Sequence, residues 1–201
     1  MDGSNERAQG RSFRRTWEHI LHPRRRRHGV RLLVAIVLLV LSALPIERGS
    51  VPQWEKDVFE AFNHLPDWLN PPLQVVMQLG NLLMVPVVAG VAYLVWRRWR
   101  VAIDIAVSGV AAWLLARIVK NAVGRGRPGD LLQEVILRDP AQHGLGFVSG
   151  HMAVAAAVAT VLAAYLGARG TLIAVVAAAL VGISRIYVGA HLPLDVVGGA
   201  M

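Results

Sequence analysis

Within twelve positions, Ser184-Arg-Ile-Tyr-Val-Gly-Ala-His-Leu-Pro-Leu-Asp195 sets a guanidinium (Arg185), an imidazole (His191) and a carboxylate (Asp195) into an otherwise apolar stretch. Such groups are costly near lipid and persist there by pairing with one another or by binding something charged, so they mark a functional site. Two further polar clusters accompany them: Lys120-Asn-Ala-Val-Gly-Arg-Gly-Arg127-Pro128 and Val148-Ser149-Gly150-His151. Lys120, Arg127 and Arg185 repel one another unless an anion sits among them. Phosphate suits that set, because Arg offers its oxygens a planar fork of donors and Lys a compact charge. Taken singly, Arg127 could snorkel to the membrane interface and Lys120 could simply end a span.

The histidines add reactivity. His151 follows Ser149-Gly150 at the expected start of a helix, whose N–H groups suit a phosphoryl oxygen. Ser149 could equally serve that helix only as its cap. His191 and Asp195 lie four apart, so the carboxylate can accept a bond from one imidazole nitrogen and leave the other as nucleophile or base. Two imidazoles in one pocket suggest a division of labour, one attacking phosphorus while the other protonates the departing oxygen.

K-x6-R-P at Lys120 to Pro128, S-G-H at Ser149 to His151 and S-R-x5-H-x3-D at Ser184 to Asp195 resemble, in order, the three signature motifs of the type 2 phosphatidic acid phosphatase superfamily. The resemblance covers about residues 50–201. It implies a six-helix membrane bundle and hydrolysis of a phosphate ester or anhydride through a phosphohistidine, with neither metal nor cofactor. Residue by residue, it implies that His191 is the nucleophile, Asp195 its orienting partner and His151 the acid on the leaving group. Lys120, Arg127 and Arg185, with Ser149 and the Gly150 N–H, would hold the phosphoryl oxygens. Val148 stands where the family usually has Pro; that change removes no reacting atom, and activity is expected to survive it. The implied substrate is a membrane lipid phosphate or a polyprenyl diphosphate, and the motifs fix the reaction rather than the lipid. The same pocket could also serve a phosphotransferase with an alcohol acceptor, or a lipid-binding or translocating membrane module of a larger chain that does not hydrolyse. The related vanadate-dependent haloperoxidases share the pocket logic but resemble soluble proteins, which these apolar spans disfavour.

The elements that must position these residues are membrane helices. Of 201 residues 55% are apolar and only 17% charged, and runs long enough to cross about 30 Å of hydrocarbon fall near 30–46, 73–96, 101–119, 149–167 and 171–190. A sixth begins at Pro193, a residue suited to a first helical turn, with Leu192 or His191 at its cap. The expected fold is an all-α polytopic bundle of six spans, the sixth truncated at Met201, with a possible further domain beyond. Residues 51–70 read either as an amphipathic helix along the membrane surface or as an ordinary loop.

Charge gives the orientation. The first 31 residues hold nine arginines against Asp2, Glu6 and Glu18, six of the eight net positive charges. A polybasic segment ahead of a span reads as a cytoplasmic arm on anionic lipid headgroups (residues 1–29) before a membrane domain (30–201), not as a nucleic-acid binder. Arg24 to Arg27, Arg97, Arg98, Arg100 and Arg169 then mark the cytoplasm. Threading the spans from there puts all three polar clusters on the extracytoplasmic face, in what reads as a bacterial inner membrane. Asp104 is expected to pair with Arg100, and His143 to be a solvated loop residue. The chain has no cysteine, which excludes disulfides, thiolate metal sites and a cysteine nucleophile. It also makes the topology testable: in intact cells, Gln142→Cys should react with a membrane-impermeant maleimide and Arg98→Cys only after lysis. The reverse labelling would invert the orientation.

Overall fold

The structure is a computed structural model that describes residues 29–46, 49–139 and 144–201. The basic arm up to residue 28, with Arg24 to Arg27, and His143 lie outside the described residues. The chain divides into two units, Met1–Leu38 and Leu39–Met201. The described residues of the first belong to α1 (Gly29–Ala43). There follow α2 (Gln53–Asn63), α3 (Asn70–Met77), α4 (Val85–Trp96), α5 (Trp99–Val123), α6 (Pro128–Leu131), α7 (Gly150–Ala163), α8 (Ala168–Tyr187) and α9 (Pro193–Ala200). No strand occurs among the described residues.

Two stretches, Trp99–Leu131 and Ala168–Tyr187, are long and apolar enough to cross a membrane, and the pair Asp67–Gly80 and Leu82–Trp96 makes a third if taken together. That pair is bent by 68°, which corrects the straight span expected over 73–96. The cause is local. Asn81 adopts an extended conformation and its side chain accepts the Leu83 N–H at 3.0 Å, offering the backbone an alternative to helix. Pro86, lacking an N–H, then sits where α4 restarts. Pro193 opens α9 with Leu192 at its N-cap, as the sequence predicts.

Of the two readings of 51–70, helix or loop, the helix holds for α2 alone, which ends at Asn63. Pro66 disfavours helical conformation at the residue before it, and only a 3-10 turn (Asp67–Leu69) follows. Nor is α2 merely laid on the surface. Phe59 is fully buried against Ile186 and Leu192, while Trp54 stays exposed.

The core forms around α7. Val154 and Val158 pack with Val85 and Ala89 of α4 and Ile105 of α5, and Met152 and Ala155 pack with Ala178 and Val181 of α8. The small residues let the helices approach closely. Val107, Leu114, Leu115 and Ile118 on α5 and Leu172, Ile173, Val175 and Val176 on α8 are exposed, apolar faces suited to lipid.

The bend in the α3–α4 pair brings Gly80 against the first turn of α7, where a Cβ would stand 2.5 Å from the His151 carbonyl oxygen. Only a residue without a side chain permits that approach. Gly80→Ala should therefore lower stability by roughly 1–3 kcal/mol, the scale for overpacking a filled interior, read as a lower thermal midpoint in detergent. An unchanged midpoint would mean that this contact is loose.

Candidate active site

The first polar cluster is shaped by the end of α5. Gly124 has φ +70° and its N–H donates to the Lys120 carbonyl at 2.9 Å, a left-handed helix stop that favours glycine. Beyond it the chain turns Arg125 inward and uses Arg127 to begin α6. The Arg127 N–H donates to Asp130 Oδ2 at 3.0 Å.

The segment before α7 is fastened to this cluster. Lys120 Nζ donates to the carbonyls of Leu145 (2.8 Å) and Gly146 (3.1 Å), and the Gly146 N–H donates to the Arg125 carbonyl at 2.7 Å. Arg127 donates to the carbonyls of Gly144 (3.2 Å) and Ala190 (3.1 Å). The Ser149 N–H donates to the Asp195 carbonyl at 2.8 Å, which ties the start of α7 to α9. Val148, in the position where Pro was expected, is buried with Phe147 and Ala116.

These ties gather the side chains around one cavity of about 510 Å³, lined by Lys120, Arg127, Gly150, His151, Arg185 and His191. Asp139, Gly80 and Trp113 complete the wall used below. Asp139 Oδ2 accepts from Arg185 Nη1 at 3.2 Å. Asp195 is buried behind His191, and its Oδ2 lies 3.4 Å from His191 Nδ1 and accepts the Leu192 N–H at 2.9 Å. With Nδ1 turned to the carboxylate, Nε2 is the nitrogen left for the cavity. Burial comes first, then the charges of Arg185, Lys120 and Arg127 and the nearby His151, in holding the His191 pKa well below the usual imidazole range. The ring is neutral at physiological pH, with a lone pair to offer.

Of the residues expected from sequence, Ser149, like Asp195, does not line the cavity. It is fully buried, and its hydroxyl accepts the Met152 N–H at 3.4 Å as the cap of α7. Asp104 departs from its expected role: the Tyr165 hydroxyl donates to its Oδ2 at 3.1 Å, while the Arg100 guanidinium lies 5.8 Å from the Trp99 ring. Arg138 stacks 4.2 Å from the Tyr187 ring and donates to the carbonyls of Asn63 (2.7 Å) and Tyr187 (3.0 Å).

Sequence reasoning missed two residues beneath the site. Arg125 Nη1 donates to Asp195 Oδ1 at 3.0 Å and to Glu55 Oε1 at 3.0 Å, and its Nη2 donates to Glu55 Oε2. Glu55 Oε1 also accepts the Leu194 N–H at 2.9 Å. All three side chains are inaccessible to solvent. The available signal was Glu55 itself, one turn before Phe59 on the apolar face of α2.

The profile of the PAP2 superfamily matches residues 99–201, just over half of the chain and all three polar clusters. The chain belongs to the PAP2 superfamily. An undecaprenyl-diphosphatase from Sulfolobus acidocaldarius is 30% identical over 107 residues, 53% of this chain and 52% of that one, so the match spans about half the length of that relative. Among solved PAP2-like structures, LpxE of Aquifex aeolicus superposes with a TM-score of 0.65 at 28% identity, covering 72% of this chain and 86% of the other. A PAP2-type phosphatidylglycerolphosphate phosphatase from Bacillus subtilis gives 0.66 at 26% identity, covering 84% and 88%. Glu55 lies outside the segment that the PAP2 profile matches.

Proposed function

We propose that this PAP2 protein is an integral membrane phosphatase that hydrolyses a lipid phosphate or a polyprenyl diphosphate through a phosphohistidine. One observation carries the reading: two imidazoles and three cations line one cavity, and one imidazole has its Nδ1 turned to a buried carboxylate. The names of the relatives support the substrate class, one a polyprenyl diphosphatase and one a phosphatidylglycerolphosphate phosphatase.

In the proposed reaction Lys120, Arg127 and Arg185, with the Gly150 N–H, hold the phosphoryl oxygens, and Ser149 serves them by capping the helix that presents Gly150. Arg185 Nε is buried and finds no acceptor among the described residues, a costly state that an oxyanion among these cations would relieve. His191 Nε2 attacks phosphorus in line with the leaving oxygen, Asp195 holds the ring, and His151 protonates the alcohol or phosphate that departs. Water then cleaves the phosphohistidine, with His151 accepting its proton.

The membrane domain (30–201) would cross six times, through α1, the bent α3–α4 pair, α5, α7, α8 and α9. The arm before it would rest on anionic headgroups at the cytoplasmic face, leaving the cavity on the opposite side of a bacterial inner membrane.

His191→Ala should abolish phosphate release in a folded protein, and wild-type turnover in that variant would end the phosphohistidine mechanism. Lys120→Ala, Arg127→Ala and Arg185→Ala should each cost on the order of a hundredfold or more in kcat, the scale for losing one preorganised donor to the transition state. Release of phosphate from lipid phosphates in excess EDTA should match that in its absence. Strict dependence on added magnesium would assign the chemistry elsewhere.

A further inference from the structure

The reaction proposed above makes a positive charge on an almost wholly buried ring. When His191 Nε2 bonds to phosphorus, the P–O bond to the leaving group breaks, its electrons stay on the leaving oxygen, and that oxygen takes the proton of His151. The phosphorylated ring keeps its Nδ1 proton and becomes cationic, one bond away from Asp195. Asp195 would compensate fully if it stood alone with the ring. Arg125, however, binds its other oxygen at 3.0 Å and cancels that negative charge.

Glu55 restores the balance. It takes both terminal nitrogens of Arg125, so Glu55, Arg125 and Asp195 together carry one net negative charge before attack and, with the cationic ring, none after it. Removing the Glu55 charge would reverse this, giving a neutral cluster at rest and an uncompensated buried cation after attack. Uncompensated buried charge is among the most costly states a protein interior can hold, and here the cost would fall on the transition state. Geometry points the same way. Glu55 also receives the Leu194 N–H, so a single carboxylate fixes both the guanidinium that aims Asp195 and the first turn of the helix that carries it.

We infer that Glu55 and Arg125 are positioning residues of the reaction, a buried pair that keeps Asp195 charged and aimed at His191 Nδ1. The inference rests on the phosphohistidine reading. Neither residue lines the cavity, so both act through Asp195, and α2 thereby becomes part of the site although the PAP2 profile begins at residue 99.

The test uses the full chain in detergent micelles with a short-chain prenyl diphosphate and with phosphatidate. Glu55→Gln keeps the shape and removes the charge. It should lower kcat roughly tenfold to a hundredfold, the scale for losing a partner that orients a reacting group, with KM changed less than about twofold because the cavity cations are untouched. Glu55→Asp should recover part of the loss. A Glu55→Gln enzyme with wild-type kcat, whatever its thermal midpoint, would reduce the pair to a structural tie and overturn the inference. If that variant does not fold, Glu55→Gln/Arg125→Gln leaves Asp195 charged but no longer aimed; a tenfold fall in kcat at constant KM is then expected from the lost aim alone, and full turnover overturns the proposal.

A second readout is independent of turnover. In histidine-labelled protein, the downfield Nδ1 proton of His191, assigned by its loss in His191→Gln, should move upfield in the Glu55→Gln variant, or in the double variant if the single one does not fold. An unmoved resonance contradicts the relay. Wild-type protein inactive on every lipid phosphate would instead defeat the proposed function, while the resonance still decides whether Glu55 reaches His191.

Discussion

A guanidinium with no access to solvent, held between two carboxylates equally buried, is the constraint on which this structure turns. Each ion has lost its hydration, and mutual attraction offsets that loss only when the geometry is good and the remaining lone pairs are filled. On the carboxylates they are filled by backbone, the Leu194 N–H on Glu55 and the Leu192 N–H on Asp195, while Arg125 Nε has no acceptor among the described residues. Three distant parts of the chain, α2, the turn after α5 and the start of α9, must therefore arrive together. Misplacing any one of them strands a charge, so the cluster enforces registry as well as cohesion.

Around it the protein builds a polar chamber out of apolar helices by using their ends. Lys120 and Arg127 reach carbonyls in the segment before α7 and after α8, groups that lie outside any helix and so have no intrahelical partner. The bend at Gly80 and Asn81 adds another exposed end beside His151. Chemistry thus sits where the helical hydrogen-bond pattern is interrupted. The uninterrupted stretches supply walls: α7 is enclosed by α4, α5 and α8, and the outward faces of α5 and α8 stay apolar.

Much of this was legible in the residues. Charged groups inside apolar runs are few, so Lys120, Arg127, His151, Arg185 and His191 stand out from sequence alone, and all of them line the cavity. Pro193 announces the start of α9 because proline tolerates a first turn. What escaped notice depended on tertiary partners. The 73–96 run looks continuous because hydropathy records burial in lipid and not backbone direction, whereas Asn81 breaks it through a local side-chain bond. Asp104 has both Arg100 and Tyr165 as conceivable partners, and only folding brings Tyr165, 61 positions away, to 3.1 Å. Glu55 was hidden by its setting: a carboxylate in an amphipathic pattern reads as solvated, and here it faces inward.

Trp113 lines the cavity beside His151, yet α5 continues past it to Val123, about 15 Å further along the helix axis. Lys120, near that end, lines the same cavity, so the chamber extends along about two turns of α5. In the reaction proposed for this site, a phosphate held there at the end of a hydrocarbon chain would have its two halves in different solvents before any bond breaks. After cleavage the alcohol remains with the lipid while inorganic phosphate, small and doubly charged, drifts into water. Recombination would need both to return to the same recess at once. Physical separation of the products would slow the reverse reaction.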